Sequence, residues 1–249
     1  MLFRSLSLQA GGDVQLGAHA TLDAAGRQVA VGSQAVATAG GTVSLLSENG
    51  DITLDAGSAI DVSGAANEGA GGTLGLSAAH GRLNALGSLR GRAASADLGS
   101  TLVADAAGLN LHQLLRAADD QSFLAEVDVR QRQGDLVVAA TDTVRARTIT
   151  LDADRGALQV LGTLDARGED GGRVRLSASG DVGVLSGGQV LAQATEQDGQ
   201  GGHVSLSTLG GRVHLDAGSV VRVAAGTAGD ASLSGGKLTL RAAQQAAIA

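Results

Sequence analysis

The 249-residue chain has no proline, cysteine, tryptophan or tyrosine, and Phe3 and Phe123 are its only phenylalanines. Each absence narrows what the protein can be. Without cysteine there is no thiol nucleophile, and the redox compartment is left open. Without proline, no strand loses a ladder donor, which suits strands paired on both edges. A globular core of ordinary shape would carry more aromatics, whereas a narrow interior filled by Val, Leu, Ile and Ala tolerates their absence. No run of 18 apolar residues is present, which excludes a transmembrane helix. The net charge is −7 and the sequence pI about 5.1, so nucleic acid is not an expected partner. The opening MLFRSLSLQAGG has one arginine and no long apolar core, unlike a signal peptide. Its Leu6, Leu8 and Ala10 alternate as if Met1 already lay inside a strand-rich coil.

What is present in excess is glycine, with 39 residues, and it recurs in a pattern. Gly11-Gly12, Gly40-Gly41, Gly71-Gly72, Gly171-Gly172, Gly201-Gly202 and Gly235-Gly236 each precede an alternating run such as Thr42-Val43-Ser44-Leu45 or His203-Val204-Ser205-Leu206. The spacings 40 − 11 = 29, 71 − 40 = 31, 201 − 171 = 30 and 235 − 201 = 34 define a repeat of roughly thirty residues. Inside one repeat, Val43 and Leu45, Ile52 and Leu54, and Ile60 and Val62 alternate with period two, the signature of strands. Glu48-Asn49-Gly50, Gly57-Ser58 and Ser63-Gly64 separate them as turns.

Three short strands per repeat predict a parallel β-helix in which each strand stacks on its equivalent in the next coil. Ile52, Leu54, Val174 and Leu176 are expected inside; Thr42, Ser44, Asp51, Thr53, Asp55 and Asp61 are expected to face water. The recurring Leu-Asp-Ala at Leu22, Leu54, Leu151, Leu164 and Leu215 reads as leucine and alanine inward, aspartate outward, turn next. Roughly eight coils at about 4.8 Å would make one continuous elongated domain on the order of 40 Å long. It comprises a first block over 1–104, an interruption over 105–126 and a second block over 127–249. Within the interruption, Leu111, Leu114, Leu115 and Ala118 fall at helical spacing, and Asn110 is placed to cap with Gln113 three residues on, predicting a short helix near 110–119. Its apolar stripe reads as a surface that covers the β-helix wall.

Motifs for chemistry fail in turn. A dinucleotide-binding glycine motif would need glycine at Leu74 after Gly69 and Gly71, with a helix to follow. His203 and His214 each alternate with inward aliphatics, so both point outward on different strands and do not converge on a metal. Asp119-Asp120 and Glu169-Asp170 sit in turn-like contexts that solvate acids. No serine lies in Gly-x-Ser-x-Gly, and no tandem calcium-binding nonapeptide occurs. No catalytic, cofactor-binding or metal residue is assigned, and no cofactor is expected.

The stretches GSAIDVSGAANEGAGGTLGLSA and VRQRQGDLVVAATDTVRARTITLDADRGALQVLGTLDARGEDGGRVRLSASGDV resemble the large filamentous haemagglutinin-like exoproteins of Gram-negative bacteria. The resemblance implies a right-handed parallel β-helix, exported by two-partner secretion through an outer-membrane transporter and serving in adhesion, biofilm formation or contact-dependent competition. It further implies a secreted, cell-surface location and a receptor or glycan on a host or bacterial cell as partner. Members of that family begin with a signal peptide and a secretion domain carrying Asn-Pro. This chain has neither, so it corresponds to an internal or distal segment, whose open end coils are expected to associate end to end. The competing class is a carbohydrate-active β-helix enzyme, a lyase or hydrolase. That class needs acids and bases gathered in one groove, whereas Asp51, Asp55 and Asp61 fall on different strands and Arg145, Arg147, Arg155 and Arg167 are interleaved with turns.

Overall fold

The computed structural model describes residues 5–65, 68–119, 121–227 and 234–248. The chain forms two units, Met1–Asp128 and Val129–Ala249. The first contains β1 (Ser5–Ala10), β2 (Val14–Leu16), β3 (Thr21–Asp23), β4 (Gln28–Val31), β5 (Gln34–Ala37), β6 (Thr42–Ser47), β7 (Ile52–Leu54), β8 (Ala59–Asp61), β9 (Thr73–Ala85), β10 (Ser88–Arg90), β11 (Thr101–Leu109) and α1 (Leu111–Ala117). The unit boundary falls inside β12 (Glu126–Gln131). The second unit continues with β13 (Leu136–Val138), β14 (Thr143–Arg145), β15 (Thr148–Ala153), β16 (Leu158–Val160), β17 (Thr163–Asp165), β18 (Arg173–Ala178), β19 (Val182–Val184), β20 (Gln189–Leu191), β21 (His203–Thr208), β22 (Arg212–Leu215), β23 (Val220–Arg222), β24 (Lys237–Arg241) and β25 (Gln245–Ile248).

Both units are parallel β-helices, as the thirty-residue repeat predicts. In the first, β1-β6-β9-β11 make one sheet, β2 and β7 stack with the end of β9 on a second, and β3-β8-β10 make the third. In the second, the sheets are β12-β15-β18-β21-β24, β13-β16-β19-β22-β25 and β14-β17-β20-β23. Register is kept residue for residue: Leu151 lies beside Leu176, and Leu176 beside Leu206. Period two then sends every second side chain into an interior column within each unit. Ile52, Leu54, Val174 and Leu176 are all fully buried there. Leu8 belongs to the first unit's column, in register with Leu45, yet is 36% exposed, because β1 is paired with β6 alone.

The turns show why glycine is so frequent. At Gly40 and Gly72 a β-carbon would stand 2.0 Å from a backbone oxygen of a neighbouring coil, and at Gly202 2.0 Å from the Ala192 carbonyl across the turn of its own coil, so only glycine lets the chain close up there. In the Asp-Ala-Gly-Ser turns after β7 and β22, Gly57 and Gly218 have φ of +86° and +84°, the left-handed region that glycine enters without steric cost. Where the first strand of a coil ends, a polar side chain turns inward and ties the corner. Ser47 donates to the Gly12 carbonyl and accepts from the Gly50 amide; Thr208 donates to the Gly180 carbonyl and accepts from the Gly211 amide.

Four expectations need correction. Gly11-Gly12 is not equivalent to Gly40-Gly41: β2 pairs with β7 through Val14 and Ile52, so Gly12-Asp13-Val14 matches Gly50-Asp51-Ile52. The shift arises because β4 and β5 form an antiparallel hairpin that lengthens the first coil to 42 − 5 = 37 residues, as the Ser5–Thr42 register shows. Leu-Asp-Ala also occupies three different phases rather than one. It closes the third strand at Leu22 and Leu164, closes the second at Leu54 and Leu215, and lies within the first at Leu151. Ala24, Ala153 and Ala166 are buried as expected, but Ala56 and Ala217 are exposed in turns, and Asp165 is itself buried. Finally, α1 is not a side excursion but part of the coil. Leu109 still pairs with Leu83 at the start of the second face, the helix then takes the place of a strand, and Ala118 rejoins the third sheet beside Leu89. The Asn110 side chain accepts from the Gln113 amide as predicted, and Leu111 and Leu114 are buried. Close by, Phe123 fills the interior where Gly91 leaves room, and its backbone is held at φ 58°.

Candidate functional site

Several aspartates hold coils together, Asp51 and Asp170 among those noted in the sequence. The Asp13 carboxylate accepts the Asp51 amide, and the Asp51 carboxylate accepts the Arg82 amide. In the second unit Asp135 accepts from Ala157, Asp181 from Arg212 and Asp170 from Gln200. Each acid thus satisfies a backbone donor of the following coil, in a turn or, for Arg82 and Arg212, within β9 and at the start of β22. Asp23, Asp61 and Asp165 instead accept from the amide two residues on, the turn that aspartate favours at the end of the third strand. Asp51, Asp55 and Asp61 are distributed over separate turns and strands as expected, with no shared groove. Asp119 is bound by Arg92, Gln121 and Ser122, while Asp120 lies outside the described residues.

One charged cluster was not legible as such. Arg145 and Arg167 converge on Asp165, with the Arg167 Nε–Oδ1 distance 2.8 Å and the Arg145 Nη2–Oδ2 distance 3.2 Å. Burial alone raises the Asp165 carboxyl. Hydrogen bonds and charge from Arg167, with the charge of Arg145, outweigh it and hold the group below its ordinary value. Arg145 stands directly beside Asp165 in the β14–β17 register, so strand pairing supplies one partner and the following turn the other. The cluster is fully mutually satisfied, which makes it a structural clamp. Asp152 behaves in the opposite sense. Burial raises its carboxyl, and a hydrogen bond from Ser177 with the charges of Arg130 and Arg175 does not fully offset that.

His203 and His214 are placed as predicted, outward and on different strands, β21 and β22. His214 lies over Gly183 of the neighbouring coil, where an added β-carbon would meet its Nε2 at 2.4 Å; it covers a strand rather than reaching for a ligand. Among the described residues no three His, Asp or Glu side chains are grouped to hold a metal. The buried hydroxyls of Ser58 and Ser100 have no partner, but they stand singly and do not converge.

The outer face of the first sheet in the second unit is different. Arg173, His203 and Lys237 open β18, β21 and β24, and register places them in one row across three successive coils. At the equivalent position in the first unit the row reads Thr42, Thr73 and Thr101. Two residues along, Arg175, Ser205 and Thr239 form the next row. Together these side chains line a shallow cavity of about 220 Å³ over the backbone at Val174 and Val204. Neighbouring rungs are about 4.8 Å apart, so four basic side chains and two hydroxyls share a small area of a chain whose net charge is negative. No ion pair joins Arg173, His203 or Lys237 to a carboxylate among the described residues. The sequence pattern located the three strands but not this row, since it becomes visible only when β18, β21 and β24 are stacked.

Comparison with protein-family models, curated proteins and solved structures gave no match.

Proposed function

We propose that the chain is a non-enzymatic structural and adhesive segment of a filamentous haemagglutinin-like exoprotein, displayed on the surface of a Gram-negative bacterium after two-partner secretion. The observation that supports this most is the residue-for-residue register of successive coils in the second unit, with a buried aliphatic column inside and outward rows held at strand spacing. Such a framework is rigid and presents side chains in fixed arrays, which suits engagement of a receptor or glycan on a host or bacterial cell. Asp13, Asp51, Asp135 and Asp181 are engaged in coil-to-coil hydrogen bonds, and Asp165 is paired with Arg145 and Arg167, which favours this reading over a lyase or hydrolase. The exposed apolar residues of the outermost strands, Leu8, Leu238 and Ile248, are what further coils or a second copy would cover.

The test is a binding screen of the full chain against glycan arrays and intact cells, with polysaccharide turnover followed in parallel. Saturable retention without product release is the expected result. Release of unsaturated or reducing ends would assign the chain to the enzyme class instead, and absence of retention on every surface would remove the adhesive reading.

A further inference from the structure

The geometry points to a binding site for a phosphate monoester on the outer face of β18, β21 and β24, built from Arg173, Arg175, His203 and Lys237 with Ser205 and Thr239. This goes beyond the adhesive reading and stands on its own observations. All six side chains line the same shallow cavity. Their convergence is enforced by pairing, because Arg173, His203 and Lys237 are Cα partners in successive coils, as are Arg175, Ser205 and Thr239. The cations of one row are therefore held at strand spacing, about 4.8 Å per rung, despite their mutual repulsion.

Charge and donor count select the ligand. Arg173, Arg175 and Lys237 carry three formal charges, and His203 adds its imidazole to the lining. The charge of Arg175 acts on Asp152, which is already bonded to Ser177. A single carboxylate or sulfate monoester brings one negative charge and leaves most of this field uncompensated. A phosphate monoester brings roughly −1.5 to −2 and three strong acceptor oxygens. It matches a guanidinium fork, a lysine point charge and hydroxyl donors. The second unit contains no phenylalanine, tryptophan or tyrosine, so neither sugar rings nor bases have a stacking platform. Recognition falls on the anionic group itself. The cavity admits one or two such groups, not a long polyanion, and the net charge of −7 opposes extended polyanion binding.

The test titrates the full chain with a hexose 6-phosphate, a hexose 6-sulfate and a hexuronate at equal ionic strength, by calorimetry and by amide shifts of β18, β21 and β24. Expected is saturable binding of the phosphate at least about tenfold tighter than of the other two. Arg173→Gln and Lys237→Gln should each weaken it about tenfold, as loss of one charge-assisted hydrogen bond implies. Arg222→Gln on β23 should not. Because the substituted residues face outward, unchanged circular dichroism and Tm separate lost binding from lost fold. Vesicles of phosphatidylcholine with and without phosphatidic acid distinguish the carrier. Preference for the vesicles assigns a lipid-borne phosphate, and preference for the hexose phosphate a soluble or glycan-borne one. Equal affinity for the sulfate and the uronate, or full retention of binding in both variants, would leave an adventitious ion only and overturn the proposal.

Discussion

Truncating the equivalent leucine of one enclosed strand and of one edge strand separates a stacked coil from an ordinary strand surface. Leu176 is fully buried and lies between Leu151 and Leu206, each on a strand hydrogen-bonded to β18. Leu176→Ala removes that side chain from a site that cannot collapse, since the strand spacing on both sides is fixed by the ladders. Buried Leu→Ala changes cost about 2–5 kcal/mol, more where relaxation is poor; about 4 kcal/mol is expected here. Leu8 occupies the equivalent position in β1 but is 36% exposed and has β6 as its single neighbour. Leu8→Ala leaves no closed cavity and forfeits only part of a transfer energy of roughly 1.5–3 kcal/mol, so about 1 kcal/mol is expected. Urea unfolding of both variants, followed by far-ultraviolet circular dichroism with the slope fitted independently, gives the two values. Equal costs at the two positions would refute the reasoning, because they would mean that β18 is no more enclosed than β1.

The two perturbed carboxylates should respond to pH in opposite directions. Asp165 has a depressed folded-state pKa, so its contribution is present above the unfolded value and is lost as pH falls through the folded one. Asp165→Asn should cost about 1–2 kcal/mol at pH 7, less than a wholly buried pair because both arginines are half exposed, and should flatten that part of the acid-unfolding curve. Asp152 has a raised folded-state pKa, so its ionised form opposes folding at neutral pH. Asp152→Asn should stabilise the chain at pH 7, and the gain should vanish as pH falls below that value; a gain that persists in acid would contradict the desolvation argument. Gly202→Ala, which sets a β-carbon 2.0 Å from the Ala192 carbonyl, should lower Tm far more than Gly108→Ala, whose β-carbon meets nothing within 4 Å.

The three-strand coil and its inward residues could be read from the sequence because period-two alternation and turn glycines are local signals. The helix was readable for the same reason: Asn110, Gln113, Leu111 and Leu114 lie within one turn or two. Phase was harder. Gly11-Gly12 and Gly40-Gly41 look alike but serve different turns, and the β4–β5 hairpin displaced the count. Its signal was present as Gly32-Ser33 between alternating valines, with Gly32 at φ +63°. Leu-Asp-Ala misled because the same tripeptide suits a strand end and a strand middle equally well. Asp165 with Arg145, and Arg173 with His203 and Lys237, were hidden because their members lie 20 to 34 residues apart and meet only through lateral register.

The stacking register is the claim on which the rest depends, and the absence of native cysteine allows it to be tested directly. Ser177 and Ser207 are Cα partners on adjacent coils, about 4.8 Å apart and within disulfide reach. Arg173 and Ser207 are offset by four residues, roughly 14 Å. Oxidation of the Ser177→Cys/Ser207→Cys chain, quantified by mass spectrometry of the linked peptides, should give the intramolecular bond in high yield, while Arg173→Cys/Ser207→Cys should give almost none. Comparable yields from the two pairs, or linkage of the offset pair alone, would contradict the parallel, in-register coil.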